Sequence, residues 1–307
     1  MIADISEVSC TAPTVVAIGN FDGLHTAHRA LLDRTVKLAG ELSDRLGTDV
    51  LPAVFTFRSL KAEQGELVDF DEKLHLIENL GIKIVAYSDF ETIKELSPKD
   101  FVDRILLTRL NAVGVVCGYN FRFGKNAAAD VEALRELLGT RATLSVEPRR
   151  EMDGRAISST EIRAALARGD LGHAEKLLGR PYSVTGTLTH GRAVGRKMGV
   201  PTLNLPIDRA LLCPMHGVYV AKVGSRHAIV NIGVRPTFDD ICGKSDLLCE
   251  IHLLCDDSEL PQEGDRVEVE LLKFIRGEMR FDSPTELYTQ IARDVEIAHE
   301  YFEKEQK

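Results

Sequence analysis

None of the six cysteines in this 307-residue chain stands in a CxxC pair, so no redox dithiol or zinc-ribbon spacing is present. They are scattered at positions 10, 117, 213, 242, 249 and 255, and Cys117 lies within an apolar run; free thiols are expected. Cys249 and Cys255 flank a strand-like segment where metal ligation is conceivable, but packing is the expected use. Runs of Lys and Arg are also missing, and the net charge is −9. That balance argues against a broad basic surface for nucleic acid. There is no apolar stretch of membrane-spanning length and no basic segment followed by an apolar core at the start, so neither membrane anchoring nor secretion is indicated. Cytoplasm is the expected compartment. Internal repeats and a low-complexity linker are absent as well.

What remains is an ordinary globular composition, 44% hydrophobic and 28% charged, in a chain long enough for two domains. An acidic protein of this kind can still take a small anionic substrate. It then needs local hydrogen-bond donors and a divalent cation to offset the overall repulsion.

The first half alternates strand and helix patterns. Strands are expected over Val15 to Ile18, Leu51 to Phe57, Ile82 to Tyr87, Ala112 to Cys117 and Thr143 to Val146, with helices near His28 to Leu46, Glu72 to Leu80, Lys99 to Arg109 and Val131 to Leu138. Such alternation implies an α/β, Rossmann-like parallel sheet whose ligand crevice lies at the carboxyl ends of the strands. After Leu178 the pattern changes to β-runs over Tyr182 to Leu188, Val218 to Val223, His227 to Ile232, Leu247 to Leu254 and Arg266 to Phe274, which suggest an antiparallel barrel or sandwich. A last helix is expected from the capping sequence Ser283-Pro-Thr-Glu286, with Leu287, Ile291, Val295, Ala298 and Phe302 as its apolar stripe. The domain boundary is placed between Leu178 and Ser183, giving domains over 1–180 and 181–307.

The most informative stretch is Gly19-Asn-Phe-Asp-Gly-Leu-His-Thr-Ala-His28, which joins an apolar strand to a helix. Glycines let backbone N–H groups approach anionic oxygens, and the helix turns its positive end toward them. His25 and His28, three residues apart, fall on one face of the first turn. Further segments with chemical character are Gly118-Tyr-Asn-Phe-Arg-Phe-Gly124, Ile157-Ser-Ser-Thr-Glu-Ile-Arg163 and Thr189-His-Gly-Arg-Ala-Val-Gly-Arg-Lys-Met-Gly-Val-Pro-Thr-Leu-Asn-Leu205. In the second of these, Ser158 and Glu161 also read as a structural capping box. In the third, Thr202 and Asn204 sit two apart, so on an extended segment they face one side and can share a hard cation such as Mg²⁺.

These segments resemble, in order, GxFDGxHxGH, GxNFRFG, ISSTxIR and HGxxxGRxLGFPTANL of the bifunctional riboflavin kinase/FAD synthetase family, and the resemblance runs from Val15 to about Phe302. It implies an N-terminal FMN adenylyltransferase domain and a C-terminal riboflavin kinase barrel with a C-terminal helix. Riboflavin, FMN, FAD and ATP would be the substrates and products, with Mg²⁺ as cofactor. By resemblance, His25, His28 and Arg163 act on the triphosphate, while Gly19, Phe21, Asp22, Gly23, Ser158, Ser159, Gly191, Gly195 and Gly199 bind nucleotide. Asn120, Phe121, Phe123, Arg235 and Arg276 shape flavin or nucleotide pockets, Thr202 and Asn204 hold the metal, and Glu250 accepts the riboflavin 5′-hydroxyl proton. Several positions depart from the pattern. Ala27 replaces glycine, Glu161 stands where arginine is frequent, 57–60 lacks the usual PHP, and 125–129 lacks a glycine. A kinase whose N-domain only binds nucleotide or flavin is therefore an alternative, as is a non-catalytic flavin-responsive regulator.

Overall fold

A strand that is apolar at every position has to be covered on both faces, and β2 (Thr14–Ile18) is buried throughout. The computed structural model describes residues 1–59, 65–189, 202–235, 246–254 and 261–305. These form two compact units, Met1–Ser159 and Thr160–Lys307.

In the first unit, β2 joins β1 (Ile2–Asp4), β3 (Leu51–Phe57), β4 (Ile84–Ser88), β5 (Ala112–Gly118) and β6 (Thr143–Glu147) in a wholly parallel sheet of order β1-β4-β3-β2-β5-β6. Val15 and Ala17 face one layer, built on Leu31, Leu32, Leu38 and Leu42 of α1 (Thr26–Leu46) and Ile77 of α2 (Phe70–Glu78). Val16 and Ile18 face the other, with Leu134 and Leu138 of α5 (Val131–Leu138). Between α2 and α5 lie two short helices, α3 (Phe90–Ile93) and α4 (Pro98–Asp100).

The helix expected over Lys99–Arg109 takes a different form. After α4 the chain becomes π-helical over Phe101–Arg109, with Leu110 N–H donating to the Ile105 carbonyl five residues back. The wider turn buries Phe101, Val102, Ile105 and Leu106 together in the second layer. β1 was not anticipated, since three residues are too short to show a period. Its place is the sheet edge, parallel to β4. In the turn over Lys125–Ala127, Asn126 and Ala127 adopt φ of 57° and 53°. Asn tolerates that region, whereas Ala carries a strain of about 1 kcal/mol.

A two-stranded hairpin, β7 (Glu151–Met152) with β8 (Arg155–Ala156), precedes α6 (Ser159–Ala167) and α7 (Leu171–Leu178). The second unit's sheet is antiparallel. Its strands β9 (Tyr182–Thr187), β10 (Leu203–Pro206), β11 (Gly217–Val223), β12 (Arg226–Arg235), β13 (Asp246–Leu253) and β14 (Arg266–Arg276) take the order β10-β13-β12-β11-β14-β9. Thr189 N–H donates to the Asn204 carbonyl at 2.9 Å, drawing the two outer strands together into a nearly closed barrel. A side chain at Gly186 would put Cβ 2.9 Å from Leu205 Cδ1 and 3.1 Å from the Pro206 carbonyl oxygen, so the close approach of β9 and β10 favours glycine there.

The last helix, α8 (Pro284–Glu305), starts as its sequence suggests. The Ser283 hydroxyl accepts from Glu286 N–H, and the Glu286 carboxylate accepts from Asp282 N–H. Its stripe packs on the barrel, with Ala298 and Phe302 buried against Val220 and Ile229. The His227 ring stacks on Phe302 with centroids 3.6 Å apart. No helix among the described residues is long and apolar enough to cross a membrane.

The strongest tie between α8 and the barrel is polar. Asp294, with a side chain 1% exposed, accepts from Arg276 Nε at 3.1 Å and Nη2 at 2.8 Å, and from Gln290 Nε2 at 2.9 Å. Removing the carboxylate leaves a largely buried guanidinium without its counter-ion. Asp294→Ala is therefore expected to destabilise the second unit by about 3 kcal/mol or more, with Asp294→Asn milder because it keeps hydrogen-bond capacity. Urea unfolding followed by circular dichroism checks this; an unchanged midpoint for Asp294→Ala would show that the pair contributes nothing.

Candidate functional sites

In the parallel sheet the chain runs outward from β2 to β3 and β4, then returns to β5 on the other side of β2. Loops at the carboxyl ends of β2 and β5 therefore diverge and leave a crevice. The Gly19–His28 turn follows β2, and the Gly118–Gly124 segment follows β5.

The turn is strained and buried. Phe21, Gly23 and Leu24 have φ of 53°, 73° and 42°, and Phe21 and Leu24 are fully buried. Two bulky residues in the left-handed region are held there only by their surroundings, a pattern common at functional sites. Buried Asp22 accepts from Leu67 N–H at 2.8 Å, and its carbonyl accepts from the Ser159 hydroxyl at 3.0 Å. Asp22 and Ser159 thus hold the turn, a role sequence reasoning did not give them.

His25 is the N-cap of α1, its Nδ1 accepting from His28 N–H at 3.2 Å. The two imidazoles stack with centroids 3.6 Å apart, and Phe21 meets His28 edge-on. His28 Nδ1 is buried without a hydrogen-bond partner. Burial, reinforced by His25 and Lys73, pushes the His28 pKa well down, so the ring is neutral at pH 7. Ala27 lies inside α1 with no positive φ, so the missing glycine is not required by the backbone.

Of the residues expected to shape a flavin pocket after β5, Asn120 is exposed and Phe121 half-buried. Phe123 is 6% exposed, stacks on Phe121 and tilts against Phe101. Its ring supports the loop from the core side. Ser159 and Arg163 stand four apart on α6, on one face. Glu161 is engaged elsewhere, its carboxylate 3.4 Å from His173 Nε2 and 3.9 Å from an Arg168 Nη. That pairing ties α6 to α7 and explains an acid at this position.

The second unit gathers its polar residues by strand register. Asn204 on β10 is opposite Glu250 on β13, Glu250 opposite Asn231 on β12, Asn231 opposite Val218 on β11, and Val218 opposite Arg276 on β14. Five strands thus contribute to one row, with Asn231 Nδ2 3.5 Å from Glu250 Oε2. A cavity of about 320 Å³ opens beside it, lined by Thr202, Asn231, Glu250, His252, Arg276 and Phe281 among others. Arg276 lines the cavity while its guanidinium is committed to Asp294. Sequence reasoning missed Asn231, His252 and Asp294; its candidate on the strand that carries Asn231 is Arg235, which ends β12. Gly191, Gly195 and Gly199 lie outside the described residues. Cys249 is fully buried, and burial pushes its thiol pKa up, as packing demands; Cys255 lies outside the described residues.

Known proteins resemble the chain on both sides of this division. The FAD synthetase family model matches residues 7–161 and the riboflavin kinase family model residues 178–302. A bifunctional riboflavin kinase/FMN adenylyltransferase from Buchnera aphidicola subsp. Schizaphis graminum is 34% identical over 301 residues, covering 94% of each chain. The protein of that description from Escherichia coli strain K12 is also 34% identical, over 94% of this chain and 92% of its own. Among solved structures, one described as a macrolide-efflux protein from Streptococcus pneumoniae matches with a TM-score of 0.80 and 25% identity, over 96% of this chain and 97% of that one. Two domain matches in sequence order, together with relatives of this identity over nearly full length, place the chain in the bifunctional riboflavin kinase/FMN adenylyltransferase family.

Proposed function

We propose that the chain makes FMN and FAD in two steps, phosphorylating riboflavin in the second unit and transferring AMP from ATP to FMN with the adenylyltransferase motifs. The observation that carries the reading is the cross-strand row of Asn204, Glu250 and Asn231 beside a cavity of about 320 Å³. A supply of ATP makes the cytoplasm the compartment in which we expect it to work.

For the kinase step, Glu250 is the general base. Its carboxylate is exposed to the cavity, and Asn231 stands beside it to orient it. As the riboflavin 5′-hydroxyl attacks the γ-phosphorus, Glu250 takes the proton and ADP leaves. Thr202 and Asn204 suit a hard cation: Asn204 is 5% exposed, and its carboxamide makes no hydrogen bond among the described residues. Two neutral oxygens fit Mg²⁺, which keeps most of its shell for water and phosphate and, when bound, would neutralise charge on ATP.

For the adenylyl step the nucleophile is the FMN phosphate, already ionised, so no strong base is needed. The turn after β2 supplies N–H groups and the α1 N-terminus, and His28 is positioned to donate to phosphate oxygens as pyrophosphate departs. Ser159 keeps the turn in place, and Arg163 offers a charge-assisted donor. Neither Ala27 nor Glu161 weakens this reading, since the helical backbone at 27 does not require glycine and Glu161 joins α6 to α7.

Chromatography of products from riboflavin, ATP and Mg²⁺ tests the whole proposal, which fails if neither FMN nor FAD is formed. Glu250→Gln should lower kcat for FMN formation by roughly two to four decades with little change in riboflavin binding. Near-normal turnover would remove Glu250 from the role of base. Asn204→Ala should raise the Mg²⁺ concentration needed for half-maximal kinase activity without harming FAD formation from supplied FMN. Loss of both activities together would point to misfolding instead. His28→Ala should abolish FAD formation from FMN while sparing the kinase, and an unaffected rate would take His28 out of the chemistry.

A further inference from the structure

One cation in the first unit is buried with no carboxylate in direct contact among the described residues. Lys73, on the first turn of α2, is 2% exposed. Its Nζ donates to the Phe57 carbonyl at 2.6 Å and reaches the Asn20 carbonyl at 3.5 Å. No carboxylate lies within ion-pair distance of it among the described residues. A lysine that only filled space at a helix start would leave its ammonium in water. This one points inward to two carbonyls, the last of β3 and one in the turn after β2.

The Asn20 carbonyl lies in the turn that borders the crevice, and the Phe57 carbonyl ends the neighbouring strand β3. The Asn20 carbonyl also accepts from the buried Thr56 hydroxyl at 3.0 Å, so two donors from neighbouring elements hold the peptide between Asn20 and Phe21. Because a trans peptide points its N–H opposite to its C=O, drawing the Asn20 oxygen inward turns the Phe21 N–H away from Lys73. That same peptide leads into the strained Phe21–Leu24 backbone. Phe70 is gripped from two sides, with Lys73 Nζ 5.4 Å from its ring centroid and the Arg58 guanidinium at 5.1 Å. α2 is therefore fixed against the end of β3, and Lys73 with it.

We propose that Lys73 is a positioning residue for adenylyl transfer: its buried ammonium joins the end of β3 to the Asn20 peptide and so holds the phosphate-facing turn that leads to His28. The proposal rests on the reading that this turn and His28 carry that reaction. The titratable groups that act on His28 are His25, stacked on it, and Lys73 on α2, and those that act on Lys73 are Asp22 in the turn and Glu66 before α2. Burial pulls the Lys73 pKa down while Glu66 and Asp22 pull it up, and Lys73 in turn helps keep His28 unprotonated. A neutral His28 offers one N–H without adding a second cation that the unliganded crevice would have to desolvate.

The test uses the full chain with Lys73→Met, which keeps the apolar stem, and Lys73→Gln, which keeps donors but not charge. Lys73→Met is expected to lower kcat for FAD formation from FMN by roughly tenfold to a hundredfold, with a smaller change in KM and kinase activity retained. Lys73→Gln should lose less. In both, ring titration of His28 followed by NMR, assigned through His28→Gln, should move to higher pH because a like charge has gone. A lysine of purely structural value would lower thermal stability and leave that titration where it was. An unmoved titration, or FAD formation by Lys73→Met at the parent rate, overturns the proposal. Should Lys73→Met fail to fold, Lys73→Gln carries the same two measurements. If the parent chain makes no FAD, or His28→Ala makes it normally, the adenylyl-transfer reading is what fails; an active parent, inactive His28→Ala and unaffected Lys73 variants sink Lys73 alone.

Discussion

Strand register is the constraint on which the barrel site depends. Asn204, Glu250 and Asn231 come from segments separated by up to dozens of residues, and they share a row because each backbone ladder fixes which residues are opposite. Side chains alternate along a strand, so slipping β13 by one residue would bury the Glu250 position and turn Cys249 toward the cavity. The register is protected by burial on the other face. Cys249 and Ile251 are wholly buried on either side of Glu250, as are Ala228, Val230 and Ile232 on β12. Apolar packing thus sets the position of the polar row.

α8 completes that arrangement from outside the sheet. Its apolar stripe covers one part of the barrel, while Asp294 grips Arg276 at the end of the row. A buried ion pair contributes less to net stability than to defining a single docked geometry, because much of its attraction offsets desolvation. Four of the residues lining the cavity, Leu287, Tyr288, Ile291 and Asp294, come from this helix, so helix docking and cavity shape are one problem.

In the first unit the corresponding constraint is a strained turn. Left-handed Phe21 and Leu24 persist because their side chains are buried and the neighbouring Asn20 and Asp22 carbonyls are held by Thr56, Lys73 and Ser159. The departures from the family pattern fit this picture of local compensation. Ala27 falls where helical geometry accepts alanine, and Glu161 is occupied in joining α6 to α7. At Ala127 nothing in the structure explains the choice of alanine over glycine.

Sequence alone determined the order of the longer elements and most of their bounds, because apolar periodicity, caps and turn residues are local properties, whereas β1, β7, β8, β10, α3 and α7 were not anticipated. β3 and α5 were legible to the residue, and the start of α8 followed from Ser283 and Pro284. It also picked out Glu250, Asn204, His25 and His28 as chemically suited, through resemblance to known motifs. The π-helical form of Phe101–Arg109 was not legible, since it answers to how the sheet's second layer packs. Nor could sequence show that Asp22 and Arg276 would be taken up by Leu67 and Asp294, or that Asn231 and Lys73 would stand beside the chemistry. Those partners are far apart along the chain, and only strand order, register and helix docking decide which distant groups meet.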